Sequence, residues 1–145
     1  MTARVQAEDF DLAAEISGFG KDAGAIVTFT GIVRNLPDGS LREMVIEHYP
    51  AMTSPALQGI EAEARQRWAL SDCAIIHRFG ALAPGAQIMM VATASAHRSD
   101  AFEAAEFLMD YLKSRAPFWK KEITVAGETW VDSKETDEAA LTRWD

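Results

Sequence analysis

The sequence predicts an α+β domain in which helices interrupt runs of antiparallel strands. The segment 24–35 is rich in β-branched residues, which favours a strand, and turn residues follow it at 36–40. Apolar residues recur at helical spacing between 54 and 68 and again after residue 98. No repeat, low-complexity segment or linker divides the chain, so residues 1–145 are expected to form a single domain.

The main prediction for residues 1–49 is a pair of strands, at 24–35 and 41–49, that hydrogen-bond to each other. Residues 4–7 predict a short edge strand, and a short helix is expected over 12–17. The strand at 24–35 is expected to return through the turn at 36–40 into a partner strand at 41–49, which would complete a hairpin.

Residues 54–96 are expected to form a helix followed by two more strands. The helix is expected to be capped by Ser54, with Pro55 at its first position. Strands are expected at 73–79 and 87–96, joined by a turn at 83–86.

The pair His97-Arg98 opens a further helix, which Pro117 ends. Its cap is expected to be Ser99, or Asp100 in a capping-box pattern. Helical periodicity assigns its buried face to Ala101, Phe102, Ala105, Leu108, Met109 and Leu112. One or two short strands are expected over 123–131, and the last dozen residues are expected to form a polar tail or a short helix.

Composition narrows the class of function. The formal net charge of −8 argues against a nucleic-acid partner, because a phosphate backbone is bound by clustered cations. No apolar run approaches the roughly 20 residues of a membrane helix, and the N-terminus does not resemble a signal peptide. The single cysteine, Cys73, lies in an apolar run and is expected to be a buried side chain in a protein of the reducing cytoplasm.

Cationic residues cluster in one stretch of this acidic chain, and the cluster points to an anion site. Residues 113–121 contain no acid and carry Lys113, Arg115, Lys120 and Lys121. The chain must turn at Pro117, and the following segment is expected to be extended, so that neighbouring side chains point to opposite faces.

Lys113 and Lys120 are therefore expected to reach the same pocket, whereas Lys121 is expected on the other face. Two nearby ammonium groups disfavour each other's charge, so at least one lysine pKa should fall, and Glu122 could hold one of the amines in place. Lysines at a helix end also favour the helix dipole without any other role, so spacing alone leaves both interpretations open.

Further cations stand where predicted strands end. They are Arg34, the pair His77-Arg78 and the pair His97-Arg98. Arginine binds phosphate through two parallel hydrogen bonds, and loops at strand ends often carry binding groups. The three histidines are far apart in sequence and form no metal motif, so no metal site is expected.

Five separated blocks follow one another along the chain and read GAIVTFTGIVRN, IEHYPAM, IIHRFG, SAHRSDAF and YLKSRAPFWKKE. Together and in this order they resemble the large, catalytic subunit of molybdopterin synthase. The resemblance implies an α/β hammerhead fold, with helices packed on a mixed or antiparallel sheet and an additional small antiparallel sheet. It also implies a homodimer that binds a small ubiquitin-like subunit at each end, giving a heterotetramer.

The reaction that the resemblance implies is sulfur transfer, with no cofactor in the protein. The small subunit's C-terminal Gly-Gly carries a thiocarboxylate, whose sulfur passes in two rounds to cyclic pyranopterin monophosphate and makes the dithiolene of molybdopterin. Carried onto this chain, the catalytic residues are Lys113 and Lys120. The substrate-binding positions are Ile32, Val33, Arg34, His97, Arg98, Lys113, Lys120, Lys121 and Glu122.

One position departs from the family, because Ala51 stands where the family usually has glycine; a positive φ there would add modest strain. Phe118 and Trp119 are either core residues or anchors for the small subunit. Two rival interpretations are a non-catalytic module that binds a phosphorylated metabolite and an interaction subunit that receives an acidic tail.

Overall fold

Two four-stranded β-sheets form the framework of the computed structural model, which describes residues 3–131 and 135–145. The strands are β1 (Ala3–Gln6), β2 (Ala25–Ile32), β3 (Glu43–His48), β4 (Leu70–Arg78), β5 (Gly80–Leu82), β6 (Gln87–Ser95), β7 (Phe118–Thr124) and β8 (Gly127–Trp130). The helices are α1 (Leu12–Ile16), α2 (Pro50–Arg67), α3 (Arg98–Ser114) and α4 (Glu135–Ala140), and a 3-10 turn follows at Leu141–Trp144. The predicted α+β class is confirmed.

The first sheet is covered on both faces. Its order is β1-β4-β6-β2, with β1 parallel to β4 and the other pairs antiparallel. The helices α2 and α3 pack on one face, while Phe10 and α1 cover the other. Burial on both faces explains why β6 is an almost unbroken apolar run.

The second sheet is antiparallel throughout, in the order β5-β3-β7-β8. The prediction of a mixed sheet together with a second, antiparallel sheet is therefore confirmed. The hairpin predicted for 24–49 is wrong. β2 pairs with β6, whereas β3 pairs with β5 and β7. After the turn at 36–40 the chain crosses to the other sheet, where the Arg42 amide donates to the Ile123 carbonyl.

The predicted start of α2 is wrong by one turn. The helix begins at Pro50, with Tyr49 as its cap residue, and Pro55 lies inside it. The Tyr49 carbonyl accepts from the amides of Met52 and Thr53, so Pro50 takes the first position, where a missing N–H costs nothing. Ala51 lies in this first turn, and no described non-glycine residue has a positive φ, so the strain considered for Ala51 does not arise.

The predicted cap of α3 is also wrong, because the acidic side chains of its first turns bind elsewhere. His97 is the cap residue and makes no side-chain cap bond. The Asp100 carboxylate accepts from the Ala69 amide at 3.3 Å, and Glu103 accepts from the Trp68 indole at 2.8 Å. These acids tie α3 to the end of α2.

The buried face of α3 is rotated from the predicted one. Phe102 is 59% exposed, whereas Phe107 is fully buried against Trp68, Tyr111 and Trp144. Ala101, Ala105, Leu108 and Leu112 are buried as predicted, and Met109 is half-buried.

The C-terminal residues pack on the outside of α3. The carboxylate of Asp110 accepts from Arg143 at 2.7 Å, which holds the 3-10 turn in place. The strands predicted over 123–131 are the end of β7 and β8, and the predicted C-terminal helix is α4 with the 3-10 turn. Within the described ranges no helix is long and apolar enough to cross a membrane.

Candidate active site

Lys113 and Lys120 border one cavity on either side of the turn at Pro117. Lys113 lies in the last turn of α3, and Lys120 lies on β7. The cavity has a volume of about 490 Å³ and is also bordered by Ser114, Trp119 and other residues of the turn. The predicted convergence of the two lysines is confirmed.

The pKa of Lys120 falls from its usual 10.5 to about 8, as predicted for at least one of the pair. Burial is the main cause, because it disfavours the ammonium form, and the charge of Lys113 acts in the same direction. Asp137, which comes from α4, acts in the opposite direction. An amine with such a pKa is partly neutral near physiological pH, so it can serve as a nucleophile, a proton carrier or a cation for an anionic guest.

Lys121 points away from this cavity, as strand alternation predicts. Its Nζ lies 3.4 Å from the carboxylate of Glu128 and 5.3 Å from the ring centre of Trp130. Glu122 was expected to hold one of the cavity lysines, but among the ion pairs of the described residues none joins Glu122 to Lys113 or Lys120.

A smaller cavity continues from the first one towards β2. Its volume is about 60 Å³, and it shares Lys113 and Lys120 with the larger cavity. Ile32 borders it and is 48% exposed, whereas Val33 is buried and pairs through its backbone with Ala86. Arg34 is exposed beyond the end of β2.

His97 and Arg98 lie far from the lysines within one chain. They are exposed at the start of α3, while Lys113 is in its last turn. At a rise of about 1.5 Å per residue, Arg98 and Lys113 are separated by about 22 Å along the helix axis. The structure therefore does not bring His97 and Arg98 into the cavity of their own chain.

His77 borders both cavities, and sequence reasoning treated it only as part of a cationic strand end. Its pKa is lowered from 6.5 to about 3, chiefly because it is buried, so the ring is neutral. Its neighbour Arg78 binds the carbonyls of Ala7 and Gln87 and so has a structural role. The sequence signal for a buried His77 is the apolar run Cys73 to Ile76 directly before it, which has no polar residue at alternate positions. In the structure every residue from Cys73 to His77 is buried, because both faces of the sheet are covered.

The two aromatic residues after Pro117 have different environments. Phe118 is half-buried and stacks on His77, with ring centres 3.7 Å apart. Trp119 is 43% exposed and packs edge-on against Tyr49, which is also exposed. Trp119 is therefore the residue of the pair that remains available as an anchor.

No cluster of three or more potential metal ligands occurs in the part of the chain that the structure describes. Cys73 is buried, and burial raises the pKa of its thiol to about 12, so it has the environment of a core residue.

Comparison with known proteins gives a consistent result. The family model described as MoaE protein matches residues 5–115. A molybdopterin synthase catalytic subunit from Cereibacter sphaeroides is 62% identical over 99% of this chain and 100% of the relative, and one from Escherichia coli is 55% identical over 83% and 81%.

Solved structures agree with the sequence relatives. The MoaE protein from Burkholderia ambifaria superposes with a TM-score of 0.84 at 53% identity, covering 99% of this chain and 97% of that one. Molybdopterin synthase from Staphylococcus aureus superposes with a TM-score of 0.82 at 30% identity, covering 88% and 95%.

Proposed function

The chain belongs to the MoaE protein family, and we propose that it performs the catalytic subunit's part of molybdopterin synthase with Lys113 and Lys120 as the reacting groups. The reaction is sulfur transfer from the thiocarboxylated C-terminus of a small ubiquitin-like subunit to cyclic pyranopterin monophosphate, which forms the dithiolene. The observation that carries this assignment of roles is the pair of lysines at one cavity, one of them with a lowered pKa.

Lys120 receives the thiocarboxylate. As an ammonium it neutralises the incoming anion. Once the sulfur has bonded to the pterin side chain, the neutral amine can attack the carbonyl carbon of the resulting thioester, which forms an amide with the small subunit's C-terminus, breaks the carbon–sulfur bond and leaves the sulfur on the pterin. A pKa of about 8 makes both forms accessible near neutral pH. Lys113 is the acid–base group that protonates the leaving oxygen of the pterin side chain while sulfur attacks.

The substrate phosphate and the pterin edge are bound by Arg34, His97 and Arg98. Ile32 borders the entry to the smaller cavity, and Val33 fixes this end of the strand through its backbone bond to Ala86. Glu122 orients a pterin nitrogen, and Lys121 supports β7 from its other face through Glu128. Because His97 and Arg98 lie at the far end of α3, a second copy of the chain must donate them.

The position of β2 supports such a donation. β2 is an edge strand of the first sheet and carries the exposed apolar side chains Ile26, Phe29 and Ile32. It begins beside Ser95, close to His97, and ends at Ile32, beside the lysines. If two copies pair their β2 strands about a two-fold axis, the start of one strand meets the end of the other. The partner's His97 and Arg98 would then approach the lysine cavity.

The small subunit's tail enters the larger cavity, and Trp119 at its rim anchors the subunit. A homodimer with one small subunit at each end is a heterotetramer. We place this single-domain protein in the cytoplasm, because its one cysteine is free and a reducing compartment keeps thiols in that form.

Reconstitution tests the function directly. The protein is mixed with a thiocarboxylated small subunit and cyclic pyranopterin monophosphate, and dithiolene formation is measured. Product formation is expected. A protein that binds the pterin phosphate but forms no product would be a metabolite-binding module, and one that binds only the small subunit would be an interaction subunit.

A further inference from the structure

A two-residue loop between β6 and α3 presents the pair His97-Arg98. The loop consists of Ala96 and His97 and leads directly into Arg98, the first residue of α3; the side chains of His97 and Arg98 are exposed. The roles proposed above require both side chains to reach a cavity in another copy of the chain. The backbone that carries them must therefore have a fixed position, because a binding group displaced by about 1 Å can cost roughly a hundredfold in rate.

Ser95 holds this loop from the end of β6. It is 1% exposed, and its hydroxyl donates a hydrogen bond to the carbonyl oxygen of His97. Ser95 itself is held on both sides, because it pairs with Ala25 of β2 and with Leu70 of β4. A buried hydroxyl that loses its acceptor is costly, so this bond favours one position of the His97 carbonyl.

Gly24 supports the same loop from the start of β2. Its amide donates to the Ser95 carbonyl at 2.9 Å. A Cβ atom at residue 24 would overlap the carbonyl oxygen of Ala96 and would lie 3.2 Å from its carbonyl carbon. Backbone atoms cannot turn away as the end of a side chain can. Any residue larger than glycine at position 24 would therefore displace the loop from β2.

Other bonds fix the inner side of α3 independently of the loop. The buried hydroxyl of Thr93 donates to the Ala101 carbonyl at 2.7 Å, and the Asp100 carboxylate accepts from the Ala69 amide at 3.3 Å. A change at residue 24 or 95 is therefore expected to shift the loop and the first residue of α3 while the helix remains packed.

We propose that Gly24 and Ser95 are positioning residues, which together form a seat for the backbone of Ala96 and His97. The seat sets where His97 and Arg98 meet the substrate phosphate in the cavity of the second copy. It lies at the start of β2, the strand through which the two copies are proposed to pair. This inference rests on the proposed function, because it gives Gly24 and Ser95 a task only through His97 and Arg98.

Gly24→Ala displaces the loop, and Ser95→Ala removes its hydrogen bond. In the reaction reconstituted with saturating thiocarboxylated small subunit, Gly24→Ala should raise KM for cyclic pyranopterin monophosphate roughly tenfold or more. The single-turnover rate at saturating pterin should stay within about threefold of wild type, because the lysines are unchanged. Ser95→Ala should raise KM by about threefold to tenfold.

Gly59→Ala and Ser17→Ala are the matched controls. A Cβ atom at Gly59 in α2 would meet nothing within 4 Å, and the Ser17 hydroxyl donates to the Ala14 carbonyl at 2.8 Å, at the end of α1. Both variants should keep the wild-type KM. A wild-type KM in folded, dimeric Gly24→Ala would overturn the proposal, and Ser95→Ala decides it if the Gly24→Ala protein does not fold.

A mixed dimer separates positioning from a general effect on stability. One chain carries Gly24→Ala and the other Lys113→Ala, and two different affinity tags isolate the mixed species. The chain with Gly24→Ala keeps both lysines of its own cavity and receives His97 and Arg98 from a chain with an intact seat. The wild-type KM is expected, at about half the wild-type rate per dimer, because one of the two symmetric cavities is complete. A raised KM would show that Gly24 acts within its own chain and would overturn the proposal.

Failure of this inference is distinguishable from failure of the proposed function. A mixed dimer of Arg98→Ala and Lys113→Ala tests the donation itself. If it is no more active than either parent homodimer, the proposed donation between the two copies is wrong. If it regains activity while the mixed dimer with Gly24→Ala has a raised KM, only the seat is lost.

Discussion

Lys120 and Lys121 are adjacent in sequence, yet the two faces of β7 give them opposite environments. Lys120 faces a cavity with another lysine, and its pKa is lowered to about 8. Lys121 faces β8, where Glu128 and Trp130 provide a carboxylate and an aromatic ring for its ammonium group. The alternation of a strand is enough to give one lysine a cavity and a lowered pKa, and to give its neighbour an ion pair on the opposite face.

The largest expected effect concerns Lys113, the companion of Lys120 on the cavity face. Lys113→Ala should abolish turnover, with a loss of roughly a thousandfold, because it removes the proposed acid–base group. It should also raise the pKa of Lys120 above about 8, since a neighbouring positive charge is removed. Dithiolene formation and NMR titration of the lysines measure the two effects.

Arg115→Ala is the control for this variant. Arg115 also belongs to the cationic stretch and borders the larger cavity, but its guanidinium lies 3.6 Å from the carboxylate of Glu138. Near-normal turnover of folded Lys113→Ala would remove Lys113 from the mechanism.

The next effect compares the two faces directly. Lys120→Ala should slow single turnover by roughly a hundredfold or more, because the amine proposed to receive the thiocarboxylate is lost. Lys121→Ala should leave the chemical step within about twofold of wild type, since its partners are Glu128 and Trp130. Equal losses of the single-turnover rate in the two variants would show that the two faces of β7 do not have different roles.

The position of the lysines could be predicted from sequence because it depends on local rules. Pro117 ends α3, and the period of an extended strand separates Lys120 from Lys121. Both rules act within ten residues of the chain.

Features that depend on distant contacts could not be predicted in this way. The partner of β3 is β7, which is about seventy residues away, and not β2. Asp100 had the sequence pattern of a cap but binds the Ala69 amide. His77 is neutral because the other face of its sheet is covered and Phe118 stacks on it.

A smaller effect is expected on stability. The folded-state pKa of Lys120 lies below its usual 10.5, so between about pH 8 and 10.5 the unfolded chain binds more protons than the folded one. Its contribution therefore opposes folding at pH 7 and disappears as the pH rises through this window. Lys120→Met should raise the free energy of unfolding at pH 7 by about 1–2 kcal/mol, after allowing for partial solvent screening.

Urea unfolding of wild type and variant at pH 7 and at pH 10 measures this difference. The gain should shrink at the higher pH, and Lys121→Met should show no such dependence on pH. A gain of equal size at both values would mean that packing, and not charge, is responsible.

The smallest effect tests the structural face of β7. Glu128 is exposed and sits diagonally across the β7–β8 pair from Lys121, so its ion pair contributes roughly 0.5 kcal/mol or less. Glu128→Gln should lower the melting temperature by about 1–2 °C and leave turnover unchanged, because Trp130 still lies opposite Lys121. A marked loss of turnover with an intact fold would show that the ion pair sets the position of Lys120 through the strand. The two faces of β7 would then be coupled, and Lys121 would contribute to turnover by helping to position Lys120.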